Sequence, residues 1–343
     1  MKWATVYDTQ TPQKRHLAIV GEDSFVCVQD VYDWYCRRFH KAFDEGLCSA
    51  LGSMETLIAA QLTEADVVKD LYARWSDSVA KGDDTARSCA IPGDRGKPTL
   101  PFQPAGFRDF YAFEQHVATC RGKRGLDMVP EWYNMAAFYF GNPRSFIGPG
   151  ETVIIPQGCE ELDFELEVAC VIGKPGGSLS APEAEACIAG YAVLNDWSAR
   201  DIQREEMKIG LGPAKGKDFA TSLGPYLVTP EELMSARLMD SDLNRFDLAM
   251  TASVNGRQIS SGNFRDIHYT FAEMIERASR DTRLVPGDVL ASGTVGTGCI
   301  LELGTEIQPW LAPGDRVTLR VEGLGTLENS IGEAGQSPRR THP

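Results

Sequence analysis

The segment from residue 107 to residue 332 consists of short β-type runs separated by turns rich in glycine and proline. Runs dominated by β-branched, aromatic and other apolar residues lie at 152–155, 164–172, 191–194, 226–228, 248–254, 289–292 and 316–321. Only a few helical periodicities interrupt them. This pattern is typical of a β-rich domain of the α+β class.

The residues before this segment have a different pattern. β-type runs at 3–7, 17–20 and 25–28 precede helical periodicity at 31–43, 54–62 and 65–75. We therefore expect a small mixed α/β N-terminal domain over residues 1–92. The stretch GDRGKPTLPFQPAG at 93–106 is predicted to be a linker, because glycine, proline and charged residues dominate it. The last residues, 333–343, are predicted to form a disordered tail.

Charge and cysteine usage exclude several classes of protein. The formal net charge of −14 argues against a nucleic-acid partner, since phosphate binding requires a basic surface. The sequence contains no run of about 18 apolar residues, so we expect no membrane span. The nine cysteines form no C-x-x-C pair, which indicates free thiols in a reducing compartment. A cytoplasmic location is therefore expected.

Two glutamates stand out in the run DFELEVACVI at 163–172. If this run is a strand, alternate residues point to opposite faces, and one face is wholly apolar. The other face begins with Glu165 and Glu167, whose Cβ atoms would lie about 7 Å apart. Two carboxylates at that separation repel each other unless a cation lies between them, and a hard divalent cation prefers such oxygen ligands. On spacing alone, an ordinary exposed strand edge is the favoured alternative.

A second segment, YAVLNDWSARDIQREE at 191–206, joins an apolar run to a predicted short helix. Ser198 is expected to be the N-cap of that helix, which places Asp196 at the end of a strand. Arg200 and Gln203 are three residues apart and should share one helical face. Together they could bind a carboxylate or a developing oxyanion. In isolation, a helix cap followed by a solvated charged face is the simpler interpretation.

A third segment, FRDFYAFEQH at 107–116, contains an acid and a histidine seven residues apart. If the segment is helical, Asp109 and His116 can face the same way. His116 is a candidate general base because the unperturbed pKa of histidine lies near neutrality. A lone histidine is more often a structural residue, and that alternative stays open here.

Two glycine-rich stretches complete the set of candidates. The loop at 215–219 could present Lys217 to an anionic substrate. The stretch SGTVGTG at 292–298 is followed by CILEL at 299–303, which we interpret as an apolar strand interrupted by Glu302. The glycine order and the strand that follows do not fit a dinucleotide-binding turn. For both stretches a tight turn without function is the alternative.

Taken together, these motifs resemble the fumarylacetoacetate hydrolase family. The resemblance rests on ELDFELEVACVIGKPG, NDWSARDIQREE, GKDF and ASGT…LEL in this order, and it covers roughly residues 105–330. The stretch at 109–116, with its DFY and QH motifs, resembles the fumarylacetoacetases within the wider superfamily. The resemblance implies a β-roll domain over 107–332, a smaller N-terminal domain and a homodimer.

The resemblance also implies roles for individual residues. A divalent metal, Mg²⁺ or Ca²⁺ with Mn²⁺ as a further candidate, would be held by Asp109, Glu165, Glu167 and Asp196. His116 would activate the attacking water, with Glu302 as its orienting partner. Arg200, Gln203 and Lys217 would bind the substrate and stabilise the oxyanion. Further substrate contacts would come from Tyr111, Arg121, Tyr139 and Thr294.

The implied reaction is metal-dependent hydrolysis of a carbon–carbon bond in a diketo acid like fumarylacetoacetate or an acylpyruvate. The place of such an enzyme would be aromatic amino-acid catabolism. A decarboxylase, hydratase or tautomerase acting through a metal-bound enolate is the alternative within the superfamily. A catalytically inactive binding protein would have lost some of the implied site residues, and none is missing. The loops from His116 to Arg121 and from Thr294 to Glu302 are shorter than in the long animal enzymes, and Ala220 replaces a usual glycine, so the substrate stays open.

Overall fold

The computed structural model describes residues 1–333 of the 343-residue chain. The predicted disordered tail lies outside the described residues, apart from Glu333. The strands are β1 (Lys2–Asp8), β2 (Thr11–Val20), β3 (Ser24–Cys27), β4 (Ala90–Pro92), β5 (Gly96–Pro98), β6 (Gly106–Phe110), β7 (Phe138–Phe140), β8 (Phe146–Ile147), β9 (Thr152–Ile154), β10 (Leu162–Asp163), β11 (Leu166–Ile172), β12 (Gly176–Gly177), β13 (Ile188–Asp196), β14 (Ser198–Ala199), β15 (Thr221–Val228), β16 (Ala249–Val254), β17 (Arg257–Asn263), β18 (Arg283–Leu284), β19 (Asp288–Ala291), β20 (Arg316–Val321) and β21 (Gly325–Gly332).

Short helices connect these strands. They are α1 (Val28–Arg38), α2 (Glu45–Ala50), α3 (Met54–Ala59), α4 (Asp66–Ala80), α5 (Asp84–Arg87), α6 (Glu114–Gly122), α7 (Pro130–Asn134), α8 (Ala181–Glu185), α9 (Arg200–Ile209), α10 (Phe271–Ser279) and α11 (Ile300–Leu303). No helix within residues 1–333 combines the length and the apolar character that crossing a membrane requires. The strand-rich content confirms the predicted β-rich α+β class.

A 12-stranded mixed sheet runs through the molecule in the order β4-β3-β2-β1-β15-β13-β11-β19-β6-β7, with β5 beside β1 and β8 beside β15. A 5-stranded sheet, β17-β16-β20-β21-β9, packs against it through a shared hydrophobic core. Strand β1 pairs with β15 antiparallel, so that Trp3 lies opposite Leu227. The N-terminal strands therefore extend the same sheet that carries the motifs of the second half of the chain.

Strand β11 has every residue buried, because each of its two faces packs into a different hydrophobic core. Val168 and Cys170 belong to a core formed by the second half of the chain. Ala169 and Val171 belong to a second core that includes Trp3 and the N-terminal helices. The N-terminal segment thus supplies the layer that covers one face of β11.

The same alternation locates the acidic motifs relative to these cores. Glu167 shares a face of its strand with Ala169, and Asp196 shares a face with Leu194. Both apolar residues belong to the core that the N-terminal helices complete. The acidic residues therefore continue, at one end, the strand faces that the N-terminal segment covers further along.

The predicted linker at 93–106 includes β5, whose Pro98 lies opposite Val6 of β1. Thr99 and Phe102 of the same segment are buried. The sheet and the second core both cross the boundary predicted at residue 92. Whether residues 1–92 fold as a unit of their own stays a prediction.

Three local predictions were wrong. Asp109 and His116 do not share a helix, because Asp109 lies on β6 and His116 lies on α6. Ser198 is not a helix cap, since it lies in β14 and its hydroxyl donates to the Asp196 carbonyl over 3.0 Å. The run at 299–303 forms helix α11 and not a strand. Ile300 packs into the hydrophobic core of the second half of the chain, and a tertiary contact of the first helical turn, described below, favours the helix.

All nine cysteines are free thiols, and seven of them are buried. The free thiols agree with the prediction that the cysteines form no disulfide framework.

Candidate active site

Three carboxylates from neighbouring elements meet at the end of the large sheet. Asp109 projects from β6, Glu167 from β11, and Glu165 from the residue pair between β10 and β11. All three side chains are buried, and one oxygen of each lies within 4.8 Å of the others. Only β19 separates β11 from β6 in the sheet, which explains how residues nearly sixty positions apart come together.

Asp196, at the end of β13, is joined to this triad through Lys217. The Lys217 ammonium donates to Glu165 Oε2 over 2.5 Å and also to Asp196 Oδ2. Tyr139, which lies opposite Asp109 in the β6–β7 pair, donates its hydroxyl to the same Asp196 oxygen over 2.6 Å. Burial alone would lower the pKa of Lys217, but the Asp196 and Glu165 carboxylates raise it. Lys217 is therefore a fixed buried cation.

The carboxylates differ in how well their charges are compensated. Burial would raise the pKa of Glu165, but Lys217 and Arg200 hold it below its usual range. Burial and the Asp196 charge together raise the pKa of Asp109 well above its usual range. Burial and the Asp109 charge do the same to the pKa of Glu167. In the absence of a further cation, the site therefore holds more negative charge than its own basic groups neutralise.

The donor set fits a hard divalent cation. Asp109 Oδ1 and Asp196 Oδ1 are both buried and have no hydrogen-bond partner among residues 1–333. A buried carboxylate oxygen without a partner is costly, and a cation would satisfy it. Every atom of these four acidic side chains that could bind a metal is a carboxylate oxygen, which is the ligand type preferred by Mg²⁺ and Ca²⁺.

Arg200, the first residue of α9, links this cluster to its surroundings. Its guanidinium donates to Asp163 Oδ2 over 2.8 Å, to Glu165 Oε1 over 2.7 Å and to Gln203 Oε1 over 3.1 Å. The last contact confirms that Arg200 and Gln203 share one helical face. The guanidinium thus fixes the orientation of Glu165 from the side opposite Lys217.

Asp163 is a residue that the sequence analysis missed. Its carboxylate accepts from the backbone N–H groups of Ile300 over 2.8 Å and Leu301 over 3.1 Å, as well as from Arg200. It therefore supplies the missing cap of α11, whose own N-cap residue, Cys299, makes no side-chain hydrogen bond to the backbone of the first turn. The alternation that singled out Glu165 and Glu167 also includes position 163, so the signal was present.

The cap positions Glu302 on α11 against His116 on α6. Glu302 Oε1 forms a short hydrogen bond with His116 Nδ1, and Oε2 accepts from the backbone of Thr297 over 3.0 Å. Burial alone would lower the pKa of His116, but its contacts with Cys120, Cys299 and Glu302 raise it well above its usual range. His116 and Glu302 therefore form a buried pair with a defined Nδ1 contact.

The remaining predicted residues divide into two groups. Thr294 Oγ1 lies 3.5 Å from Glu167 Oε1, and the Tyr111 ring lies edge-on to His116 with 5.3 Å between centroids. Arg121 instead makes a local hydrogen bond to the Asp127 carbonyl, and the contacts within residues 1–333 do not join it to the acidic cluster.

Gly293 is a second residue that the sequence analysis did not single out. Its N–H donates to Glu167 Oε2 over 3.1 Å. Its φ is +75°, and a Cβ here would lie 2.4 Å from the Phe110 carbonyl oxygen. Only glycine can bring the backbone this close, so the SGT motif is a carboxylate-binding turn.

Comparison with known proteins identifies the family. The family model described as fumarylacetoacetate (FAA) hydrolase C-terminal matches residues 106–332, well over half of the chain. The chain belongs to the fumarylacetoacetate hydrolase family. The match includes all the carboxylates of the cluster and both residues of the His116–Glu302 pair.

Proteins similar to this chain are named for different activities. Fumarylacetoacetase from Rattus norvegicus is 30% identical over 337 residues, covering 84% of this chain and 79% of the relative. Mitochondrial oxaloacetate tautomerase Fahd2a from Rattus norvegicus is 33% identical over 190 residues, covering 54% of this chain and 56% of the relative. The chain spans 56–79% of the length of the fumarylacetoacetases compared.

A solved structure shows the same fold. Fumarylacetoacetate hydrolase from the psychrophilic Exiguobacterium antarcticum superposes with a TM-score of 0.67 and 21% identity, covering 97% of this chain and 99% of the other. Since this superposition includes the N-terminal segment, the fold likeness extends beyond the region matched by the family model.

Proposed function

We propose that this member of the family is a divalent-metal-dependent hydrolase that cleaves a carbon–carbon bond in a diketo acid like fumarylacetoacetate or an acylpyruvate. The observation that carries the proposal is the buried His116–Glu302 pair beside a buried acidic cluster. A cation site alone would serve several reactions, whereas an oriented histidine base indicates activation of a water molecule.

The cation would be held by Asp109, Glu165, Glu167 and Asp196, and Mg²⁺ or Ca²⁺ fits this set best, with Mn²⁺ as a further candidate. When bound, it supplies positive charge that polarises the substrate oxygens and offsets the enolate charge.

His116 is proposed as the general base. Glu302 holds the proton on Nδ1, which leaves Nε2 to accept a proton from water. The resulting hydroxide attacks the carbonyl carbon next to the scissile bond. Only the neutral ring can accept that proton, and the raised pKa of His116 opposes the neutral state. Because Glu165 and His116 interact electrostatically, His116 loses its proton more readily once the acidic cluster is neutralised.

Arg200, Gln203 and Lys217 are proposed to stabilise the oxyanion. Lys217 has three N–H donors, and its two carboxylate partners engage two of them. The remaining donor can bind a substrate oxygen without disturbing Glu165 or Asp196. Loss of one such donor typically lowers kcat by ~10²–10³. Tyr111, Tyr139 and Thr294 are proposed substrate contacts from their positions around the cluster, and Arg121 would need to reorient to join them.

A tautomerase, decarboxylase or hydratase is the second candidate. The likeness to the oxaloacetate tautomerase favours it, because that relative is as similar per residue as the fumarylacetoacetases are. A tautomerase or a decarboxylase needs the cation site but no nucleophilic water, so His116→Ala should spare it and abolish a hydrolase, whereas a hydratase, which adds water, should be impaired as well. An appropriate control is His40→Asn, since His40 is exposed and asparagine tolerates its positive φ.

The deciding experiment is incubation with fumarylacetoacetate and with simple acylpyruvates, followed by product analysis with Mg²⁺ and with EDTA. Fumarate and acetoacetate, formed only with the metal, are the expected products. Pyruvate and an acid from acylpyruvates alone would shift the assignment to a broader hydrolase. Release of CO₂ would indicate a decarboxylase, and turnover unaffected by EDTA would exclude the proposed metal.

Assembly and cellular context are proposals as well. We propose a homodimer in the cytoplasm that acts in aromatic amino-acid catabolism, on the family resemblance and on the free thiols. Light scattering coupled to size-exclusion chromatography tests the dimer, and a monomeric mass would contradict it.

A further inference from the structure

Two thiols flank the His116–Glu302 pair, and the proposed hydrolysis uses neither of them. Cys120 follows His116 by one turn of α6, and its Sγ lies 3.8 Å from both ring nitrogens. Cys299 directly precedes α11, and its Sγ lies 3.9 Å from Glu302 Oε1. All four side chains are buried. The pair is thus enclosed by donors of a different chemical type from those of the acidic cluster.

The distances suit a tetrahedral cation. A ring nitrogen of His116, the Sγ of Cys299 and a carboxylate oxygen of Glu302 all lie within 4.8 Å of one another. Zinc bonds of about 2.0–2.3 Å in tetrahedral geometry place ligand atoms roughly 3.3–3.8 Å apart. The three donors therefore need to move by only about 1 Å. Cys120, whose Sγ lies 3.8 Å from both His116 ring nitrogens, is the neighbouring thiol available as a fourth.

The two groups of ligands select different metals. The acidic cluster offers only carboxylate oxygens, which suit Mg²⁺ and Ca²⁺. His116, Cys299 and Cys120 offer nitrogen and sulfur, which suit a softer ion such as Zn²⁺. We propose that His116, Cys299 and Glu302, with Cys120 as the fourth donor, form a binding site for a thiophilic divalent cation of the zinc class, separate from the hard-cation site.

Coordination changes the state of the pair. The S–H bonds of the coordinating thiols break, their protons pass to the buffer, and the thiolates bond to the cation. The His116–Glu302 hydrogen bond also breaks, because both partners become ligands. Nδ1 then bonds to the cation, and the one proton of the neutral ring resides on Nε2, which can no longer accept a proton from water, so the cation inhibits the enzyme. This consequence rests on the proposed function, whereas the binding itself does not.

A redox role for the same thiols is less well supported. Thiol oxidation proceeds through the thiolate. Burial raises the pKa of Cys299 to about 12, so this thiol is protonated at neutral pH. A bound cation supplies its own charge to stabilise the thiolate, which an oxidant does not.

The test is a Cd²⁺ titration of the full chain in saturating Mg²⁺, with a non-thiol reductant present. Cadmium replaces zinc as the probe because its thiolate complexes absorb in the ultraviolet. We expect a charge-transfer band that saturates at one Cd²⁺ per chain. Cys299→Ser and His116→Ala should each weaken the binding by more than the ~10–100-fold typical of losing a supporting residue. Cys187→Ser, another buried thiol, should leave the band unchanged.

Several outcomes would overturn the proposal. His16, Cys27 and Asp30 form another group of potential ligands, so loss of the band in Cys27→Ser but not in Cys299→Ser would move the site there. Absence of any band in the wild-type chain would also refute it. If Cys299→Ser fails to fold, as judged by circular dichroism, His116→Ala gives the same test. Absorbance requires no turnover, so a failed hydrolase assay leaves this result interpretable.

Discussion

Replacing Lys217 by methionine removes the buried cation that Glu165 and Asp196 share. The side chain of Lys217 is 5% exposed, and the two carboxylates are 7% and 0% exposed. Solvent therefore screens these ion pairs very little. Methionine has a similar length and fills the same space, so the change removes charge with little loss of packing.

The expected loss of stability follows from the partners that remain. Removing one member of a buried ion pair typically costs ~3–5 kcal/mol, because the other member keeps its charge without compensation. Here Arg200 still donates to Glu165, and Tyr139 still donates to Asp196. We therefore expect a loss of about 3 kcal/mol in the free energy of unfolding, the lower end of that range.

The same loop offers a matched control. Lys215 pairs with Asp218 over 2.7 Å, but its side chain is 73% exposed. Lys215→Met should cost less than about 1 kcal/mol, as is usual for a surface ion pair. Equilibrium urea unfolding in EDTA, followed by tryptophan fluorescence, measures both variants against the wild-type chain.

Added Mg²⁺ extends the test to the cation site. A cation at 100 times its Kd stabilises the folded state by ~2.7 kcal/mol. Because Lys217 repels a cation, Mg²⁺ should stabilise Lys217→Met more than the wild-type chain. If Lys217→Met lost no more stability than Lys215→Met, the buried charge balance described here would be wrong.

Three further predictions follow from the same contacts. Asp109→Asn removes a carboxylate that repels its acidic neighbours, so in EDTA the Tm of this variant should equal or exceed that of the wild-type chain. The rise in Tm on adding Mg²⁺ should be lost, and an unchanged response to Mg²⁺ would exclude Asp109 as a ligand. In Arg200→Lys the ammonium cannot bridge the three acceptors of the guanidinium, so kcat should fall by ~10²–10³. The control Arg204→Lys, on the exposed side of α9, should retain activity, and equal rates for the two variants in a turnover assay would contradict the role of the Arg200 guanidinium. Trp3→Ala removes a buried indole whose N–H donates to the Thr63 carbonyl, and it should lower the free energy of unfolding by ~3–5 kcal/mol. In calorimetry we expect a single transition that shifts as a whole, whereas two independent transitions would show that residues 1–92 unfold separately.

Local periodicity predicted much of the fold. The alternation at 163–172 indicated the strand that the structure forms over 166–172, although residues 164 and 165 interrupt it. The spacing of Arg200 and Gln203 correctly indicated a shared helical face. The strand at 316–321 has the predicted bounds. These features depend on neighbours within a few residues, and sequence spacing alone is sufficient to describe them.

The errors have a common physical cause. The apolar run at 299–303 fits a strand by composition, but the Asp163 carboxylate binds the first N–H groups of α11 and stabilises a helix. That contact joins residues about 140 positions apart, so no local pattern could reveal it. Asp109 and His116 were likewise assigned to one element because only their spacing was visible.

The sequence by itself determined the family, the α+β class and the residue types needed for a cation site and an oriented base. Only the tertiary structure decided which buried carboxylate oxygens lack hydrogen-bond partners and which carboxylates Lys217 and Arg200 neutralise. It also showed that the N-terminal segment covers the strand faces from which the acidic residues project. It also placed Cys120 and Cys299 against the His116–Glu302 pair. The reason is that charge compensation and coordination depend on distances of a few ångströms between residues far apart in the chain, and only the packed sheet sets those distances.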